Sequence, residues 1–253
     1  MICDLRYSLE QLLPYINWTY FYHVWKVKAG SAEANEVRHQ ALDLVLTEDR
    51  VRHWHVTARI GLFECNSQDE DIMLYGDAGE VVQSLHLLRQ QHPTAPDAPC
   101  LCLADFVRPL NEGGLHDRIG LFGCCADADM ERFRADDIYL HLLVQTLSDR
   151  LAEAGIERAH EEVRKHLWGY APHEDLNVAD ILAGHYQGIR PAVGYPSLPD
   201  QRLIFDLDAL LHLHEIGITL TSTGAMLPHA SVCGLMLAHP QARYFSVTDS
   251  YSL

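Results

Sequence analysis

Arg190 and Tyr195 bracket the stretch of this chain best suited to hold a small ligand. A guanidinium is a planar fork that can grip a carboxylate through two parallel hydrogen bonds. Gly194 allows close approach of backbone, and Tyr195 adds a ring and a hydroxyl. Glu153, set among Leu151, Ala152 and Ala154, is suited to face the ammonium of the same ligand. An internal salt bridge between Arg190 and Glu153 accounts for the same two residues, and sequence spacing alone does not choose between the two readings.

Other chemistries find less support. Seven cysteines, two of them adjacent at Cys124 and Cys125, match neither a disulfide framework nor a zinc spacing, and read as reduced thiols in or near a core. Sixteen histidines run from His23 to His239 without clustering, and the pairs His53/His55 and His212/His214 do not make a site by spacing. No metal site is expected. Neither a G-x-G-x-x-G loop nor a Walker loop stands in a strand-to-helix context. No Ser-His-Asp or Cys-His set can be recognised from spacing, so no residue is assigned a catalytic role.

The composition narrows the partners. The chain has 253 residues, with 19 Lys and Arg against 35 Asp and Glu, giving a formal charge of −16. That balance opposes attraction to nucleic acid and to anionic lipid. At 48% hydrophobic and 21% charged, the sequence reads as a packed globular protein. Its clearly apolar stretches, such as Gly234 to Ala238, fall far short of the roughly 20 residues that cross a bilayer. The opening MICDLRYSLEQLL carries Asp4 and Glu10 and does not read as a secretory signal, so a cytoplasmic location is expected.

The elements that must position Arg190 and Glu153 follow from periodicity. A long helix is expected from Ala135-Asp136-Asp137 toward Leu167, with Ile138, Tyr139, Leu142, Leu143, Leu147, Leu151, Ala154 and Ile156 as its apolar face. Asp136 and Asp137 favour its N-terminal end, Arg164, Lys165 and His166 its other end, and Gly155 permits close packing. Upstream, Ser8 to Tyr15 is amphipathic, the aromatic run Ile16 to Trp25 must pack or bind, and Glu33 to Glu48 reads as helix. Strands are expected at Arg59 to Phe63, at Asp71 to Tyr75 before the turn Gly76 to Gly79, at Leu101 to Val107 and at Arg118 to Phe122. His92 to Pro99 holds three prolines and reads as a loop, as does Pro109 to Gly114. Downstream, Val178 to Tyr186 and Asp206 to Glu215 read as helices, Gly188 to Asp200 as a shaped loop, and Thr219 to Thr221, Ser231 to Ala238 and Tyr244 to Val247 as returning antiparallel strands. The order of elements is α+β.

Several of these segments together resemble the activation domain of cobalamin-dependent methionine synthase: Arg134 to Asp137, Asp149 to Ala154, Val163 to Tyr170 and Gly188 to Asp200. Tyr15 to Thr19, Leu87 to Gln91, Leu103 to Val107 and Ala225-Met226 through the C-terminus extend the likeness over nearly the whole chain. The resemblance implies one module over residues 1–253, C-shaped, with an antiparallel sheet, flanking helices and a groove for S-adenosylmethionine.

In that groove the resemblance gives Arg190 the ligand carboxylate and Glu153 the polar methionyl or ribosyl portion. The backbone at Ala192 takes the adenine edge, Tyr195 supplies ring and hydroxyl, and Tyr244 lies near the mouth. Asn17 stands where the family commonly has an acidic residue, keeping a hydrogen bond without the charge; Ser222 and Gln201-Arg202-Leu203 also depart from the pattern. The implied function is reductive methylation of cob(II)alamin with S-adenosylmethionine, restoring methylcobalamin. His214-Glu215-Ile216-Gly217 shares part of the cobalt-ligating Asp-x-His-x-x-Gly motif, but His212 occupies the Asp position, so a helix end at Gly217 is the simpler account. Cobalamin is therefore expected on a methionine synthase partner or on other parts of a larger polypeptide, with a flavodoxin-like reducing protein as electron donor. The alternatives are an S-adenosylmethionine-binding regulatory protein without productive transfer, or a small-substrate methyltransferase.

Overall fold

The computed structural model describes residues 1–93, 95–110 and 114–248. It opens with strand β1 (Ile2–Ser8), where Ser8 caps the short helix α1 (Leu9–Leu12) in a reciprocal box with Gln11. The aromatic run forms α2 (Trp18–Val24), and α3 (Ala32–Arg52) follows behind the cap Ser31. Then come β2 (His55–Gln68), β3 (Asp71–Tyr75) and β4 (Val81–His86), with β3 and β4 paired as a hairpin that follows the expected turn at Gly76 to Gly79. After β5 (Asp117–Ala126) the chain runs through α4 (Ala128–Arg132), α5 (Ile138–Glu162), α6 (Val178–Leu182) and α7 (Leu203–Leu211). Short strands β6 (Thr219–Leu220) and β7 (Met226–Leu227) pair with each other, and β8 (Ser231–Met236) rejoins the main sheet.

The main sheet is antiparallel throughout, in the order β4-β3-β2-β5-β8, with β1 paired to β2 beyond the reach of β3. Strand β2 spans 14 residues, far longer than the Arg59 to Phe63 expectation, because both of its edges are paired. Alternation along the strands sends residues to two faces. Val56, Ala58, Ile60, Phe122, Cys124 and Val232 join one core with α1, α2, α3 and α5; Ile119, Leu121, Cys125, Cys233 and Leu235 join the other with α7 and the β3–β4 hairpin.

Helix α5 is the expected long helix, started by Asp137, whose carboxylate accepts from the N–H groups of Tyr139 and Leu140. Gly155 lets it lie against the sheet, since a Cβ there would stand 2.5 Å from Val56 Cγ1 and 3.0 Å from Cys124 Sγ. Its last turn widens into a π turn over Val163–Leu167. Contrary to the expected apolar face, Ile138, Tyr139 and Leu142 point outward, Ile138 being 85% exposed.

Other expectations need correction. Leu101 to Val107 is no strand: Leu103–Phe106 is a 3-10 turn, held because the Asp105 carboxylate accepts from the Cys102 N–H while Arg89 ties Glu70 to Asp105. Tyr244 to Val247 lies outside the sheet, fastened instead to Ser197 and Pro196 by the N–H groups of Phe245 and Val247. Helix α6 stops at Leu182, short of Tyr186, and Gly184 follows with φ +75°. The expected Asp206 to Glu215 helix begins earlier, at Leu203, and breaks at His212 into a 3-10 turn, Leu213–Ile216. Of the Pro109 to Gly114 loop, residues 111–113 lie outside the described residues, as do the last five positions of the C-terminal similarity.

Candidate functional site

The loop from Gly188 to Asp200 lies along β8 as an irregular extra strand. Ile189 exchanges backbone hydrogen bonds with Leu237, Leu235 N–H donates to the Pro191 carbonyl, and Val193 N–H donates to Cys233. Gly234 makes this contact close, because a Cβ there would sit 2.2 Å from the Pro191 oxygen and 2.8 Å from Ala192 Cα. Gly194, at φ +86°, turns the chain so that Tyr195 projects toward α5. That φ lies in the left-handed region that favours glycine.

Opposite the loop, α5 presents Glu153 and Glu157 one turn apart. Between them lies a groove whose outer part, about 480 Å³, is lined by Tyr20, Glu153, Arg190, Ala192, Tyr195 and Tyr244. An inner part of about 270 Å³ shares Glu153, Arg190 and Tyr195 and adds Tyr15, Asn17, Arg150 and Glu157. All six residues singled out in the sequence thus line one groove. A larger concavity of about 720 Å³ lies elsewhere, between Leu62, Tyr75, Arg118 and Leu210, and includes none of them.

Arg190 makes the internal ion pair with Glu153 that the sequence offered as one reading, but its hydrogen bond goes to Glu157. Its Nη2 donates to Glu157 Oε2, while Nη1 stands 3.9 Å from Glu153 Oε2, beyond hydrogen-bond reach. Burial opposes the guanidinium's charge, but Glu157, with smaller contributions from its tyrosine neighbours and Glu153, more than offsets this and keeps the pKa above its ordinary value. The Arg190 N–H donates to the Tyr244 hydroxyl at 2.9 Å. Across the groove the Tyr195 hydroxyl donates to Glu153 Oε1 at 3.2 Å, and the Glu153 charge raises the phenol's pKa. Asn17 caps α2, its side-chain oxygen accepting from the Thr19 N–H at 3.1 Å. Glu157 was missed in the sequence; its position four residues after Glu153 was the available signal.

Beneath the groove lies a buried polar layer. His160 is fully buried, with Nε2 3.1 Å from the Tyr170 hydroxyl, and burial followed by Arg164 and Arg190 drives its pKa well below the ordinary histidine range. Arg164 makes a two-pronged pair with Glu174 and stands 4.2 Å from the centre of the Tyr186 ring. Among the described residues, Arg190 Nε, Glu157 Oε1 and His160 Nδ1 have no hydrogen-bond partner.

Some expected non-sites resolve into structure. The segment His214 to Gly217 is the end of the 3-10 turn, with Gly217 at φ +90° and Glu215 bound to Arg59 at 2.8 Å. Cys124 and Cys125 enter opposite cores of the sheet. Among the described residues no group of three His, Cys, Asp or Glu is placed to hold a metal ion, and no helix is long and apolar enough to cross a membrane.

The groove's volume falls in the range of small-molecule sites, and its aromatic rims with a few convergent charged groups suit a ligand with a flat ring at one end and a zwitterion at the other. The fold is similar to that in the crystal structure of the MetH reactivation domain bound to AdoHcy: 35% sequence identity and a TM-score of 0.90, over 98% of this chain and 81% of that one. The family model for the vitamin B12 dependent methionine synthase activation domain matches residues 8–251. On these grounds, the chain belongs to the methionine synthase activation-domain family.

Proposed function

We propose that residues 1–253 act as one activation module that binds S-adenosylmethionine in this groove and supports reductive methylation of cob(II)alamin carried by a methionine synthase partner. The observation that carries the reading is the placement of Arg190 and Glu153 beside one another under an aromatic rim, in a chain of this family. The methyl donor's sulfonium is already electrophilic, and the partner's cobalamin accepts the methyl after reduction by a flavodoxin-like or equivalent protein. The chain's own residues therefore bind and orient, and no proton transfer is asked of them.

With Nη2 committed to Glu157, Arg190 meets the ligand carboxylate through Nη1 rather than through a free fork. Glu153 faces the ammonium or the ribose hydroxyls, and backbone at Ala192 takes the adenine edge. Tyr195 and Tyr244, 54% and 55% exposed, present their rings at the mouth.

A second reading, binding without productive transfer, has one observation in its favour. Asn17 lines the inner part of the groove, and its side-chain oxygen is engaged in capping α2, leaving an amide that carries no charge toward an ammonium. Mixing the chain with S-adenosylmethionine, a reduced electron donor and a cob(II)alamin-loaded methionine synthase partner separates the two. Growth of the methylcobalamin absorbance, dependent on the chain, is expected; its absence with the ligand demonstrably bound would favour the second reading.

A further inference from the structure

The segment Tyr244 to Val247 runs beside the groove as a strap. Phe245 and Val247 are buried in the core on the α7 side, where the Phe245 ring lies 6.5 Å from that of Phe106. Apolar burial holds the strap down, but it is non-directional and does not fix the strap's register against the ligand loop. Hydrogen bonds do that. The Ser197 hydroxyl, in a residue only 6% exposed, accepts from the Phe245 N–H at 3.0 Å and donates to the Phe245 carbonyl. One side chain thus supplies both bonds that a neighbouring strand would make. Val247 N–H donates to the Pro196 carbonyl at 2.9 Å, and the Gln90 amide donates to the Ser246 carbonyl at 2.8 Å. Tyr244, the residue before Phe245, is thereby set with its hydroxyl on the Arg190 N–H and its ring on the outer groove, which Ser197 and Phe245 also line.

We propose that Ser197 is a positioning residue for ligand binding: by fixing the register of the strap, it holds the Tyr244 ring at the outer groove. The inference rests on the groove binding S-adenosylmethionine, and it asks no contact of Ser197 itself with the ligand. Ser197→Ala leaves a buried N–H and a buried carbonyl of Phe245 without partners, and the strap regains partners only by shifting toward water. Its apolar anchors keep it attached, so the core survives while Tyr244 moves. The ligand loop stays in place, because Ile189, Pro191 and Val193 bind it to β8 independently of Ser197. A merely structural role would weaken binding whether or not the Tyr244 ring is present. A positioning role vanishes once that ring is gone.

The test is calorimetric titration of the intact chain with S-adenosylmethionine, as wild type, Ser197→Ala, Tyr244→Ala and the double variant. Each single change is expected to weaken binding by about three- to tenfold, the scale of one aromatic contact. The double variant is expected to bind within about twofold of Tyr244→Ala, because coupled residues do not add. Unchanged affinity in either single variant overturns the proposal. So does a Ser197→Ala loss as large without the Tyr244 ring as with it. Amide hydrogen exchange of the wild type gives a second reading that needs no variant to fold. A ligand that binds the fastened strap more tightly must stabilise it in turn, so saturating S-adenosylmethionine is expected to slow exchange at Phe245 and Val247; rates unchanged by bound ligand overturn the proposal. Failure of the wild type to bind S-adenosylmethionine at all overturns the groove reading itself, and this proposal with it.

Discussion

Replacing Gly234 by alanine tests how the sheet holds the ligand loop. The backbone there is ordinary strand, and alanine would normally add about 0.5–1 kcal/mol of stability by reducing the freedom of the unfolded chain. Contact reverses the sign. The new Cβ would lie 2.2 Å from the Pro191 oxygen, 2.8 Å from Ala192 Cα and 2.9 Å from Phe122 Cζ. Carbon–oxygen contacts settle near about 3.3 Å, so the loop must retreat by about 1 Å. Two hydrogen bonds are strained by that movement, Leu235 N–H to Pro191 and Val193 N–H to Cys233, both 2.9 Å. At about 1 kcal/mol each, together with about 1–3 kcal/mol for overpacking and less the alanine gain, the net loss is about 2–4 kcal/mol. The same retreat displaces Arg190 and Ala192 from their positions opposite α5 and should weaken S-adenosylmethionine binding by about tenfold or more. Urea unfolding followed by circular dichroism, with calorimetry on the folded variant, reads both effects. An unfolding midpoint at or above that of the wild type, together with unchanged affinity, would refute the reasoning.

Two further predictions concern buried groups. His160 binds a proton less readily in the folded chain than in the unfolded one, where its pKa is about 6.5, so the unfolded state binds more protons below that pH and stability falls as pH drops. His160→Gln should lose less stability than the wild type between about pH 7.5 and pH 5.5 in urea titrations; an equal loss contradicts the assignment. Burial pushes the Cys125 thiol up to about 12 and raises those of Cys65, Cys124 and Cys233 as well. A thiol reagent at about pH 8 should therefore label Cys3 and Cys100 in the native chain, both half-buried, and reach the other five only in denaturant. Rapid native labelling of Cys124 would show that the core between α5 and the sheet is open.

The parts legible in the sequence were those whose cause is local. Asp137 and the three- and four-residue apolar spacing beyond it announced α5, and the glycines and prolines of Gly188 to Asp200 announced the loop that faces it. Local signals also misled. The apolar run Leu101 to Val107 reads as a strand, but it is buried by packing around a turn that Asp105 and Arg89 fasten, so its apolar character carries no period. Strand β1 went unnoticed because its residues alternate only between half-buried and exposed until Tyr7. Ile138 and Leu142 share the spacing of the core face but start the helix before it reaches the sheet. Arg190 and Glu153 were found as a pair of opposite charges, while Glu157, the true hydrogen-bond partner, differs from Glu153 mainly in depth, which is set by the tertiary packing of α5 against the loop.

The central claim is that the groove between α5 and the Arg190 loop binds S-adenosylmethionine. Calorimetric titration of the intact chain at neutral pH under reducing conditions measures it directly. One ligand bound per chain is expected, with Arg190→Ala weakening binding by at least about tenfold in protein shown by circular dichroism to remain folded. No measurable binding to the wild type, or binding that a folded Arg190→Ala variant leaves untouched, would contradict the account.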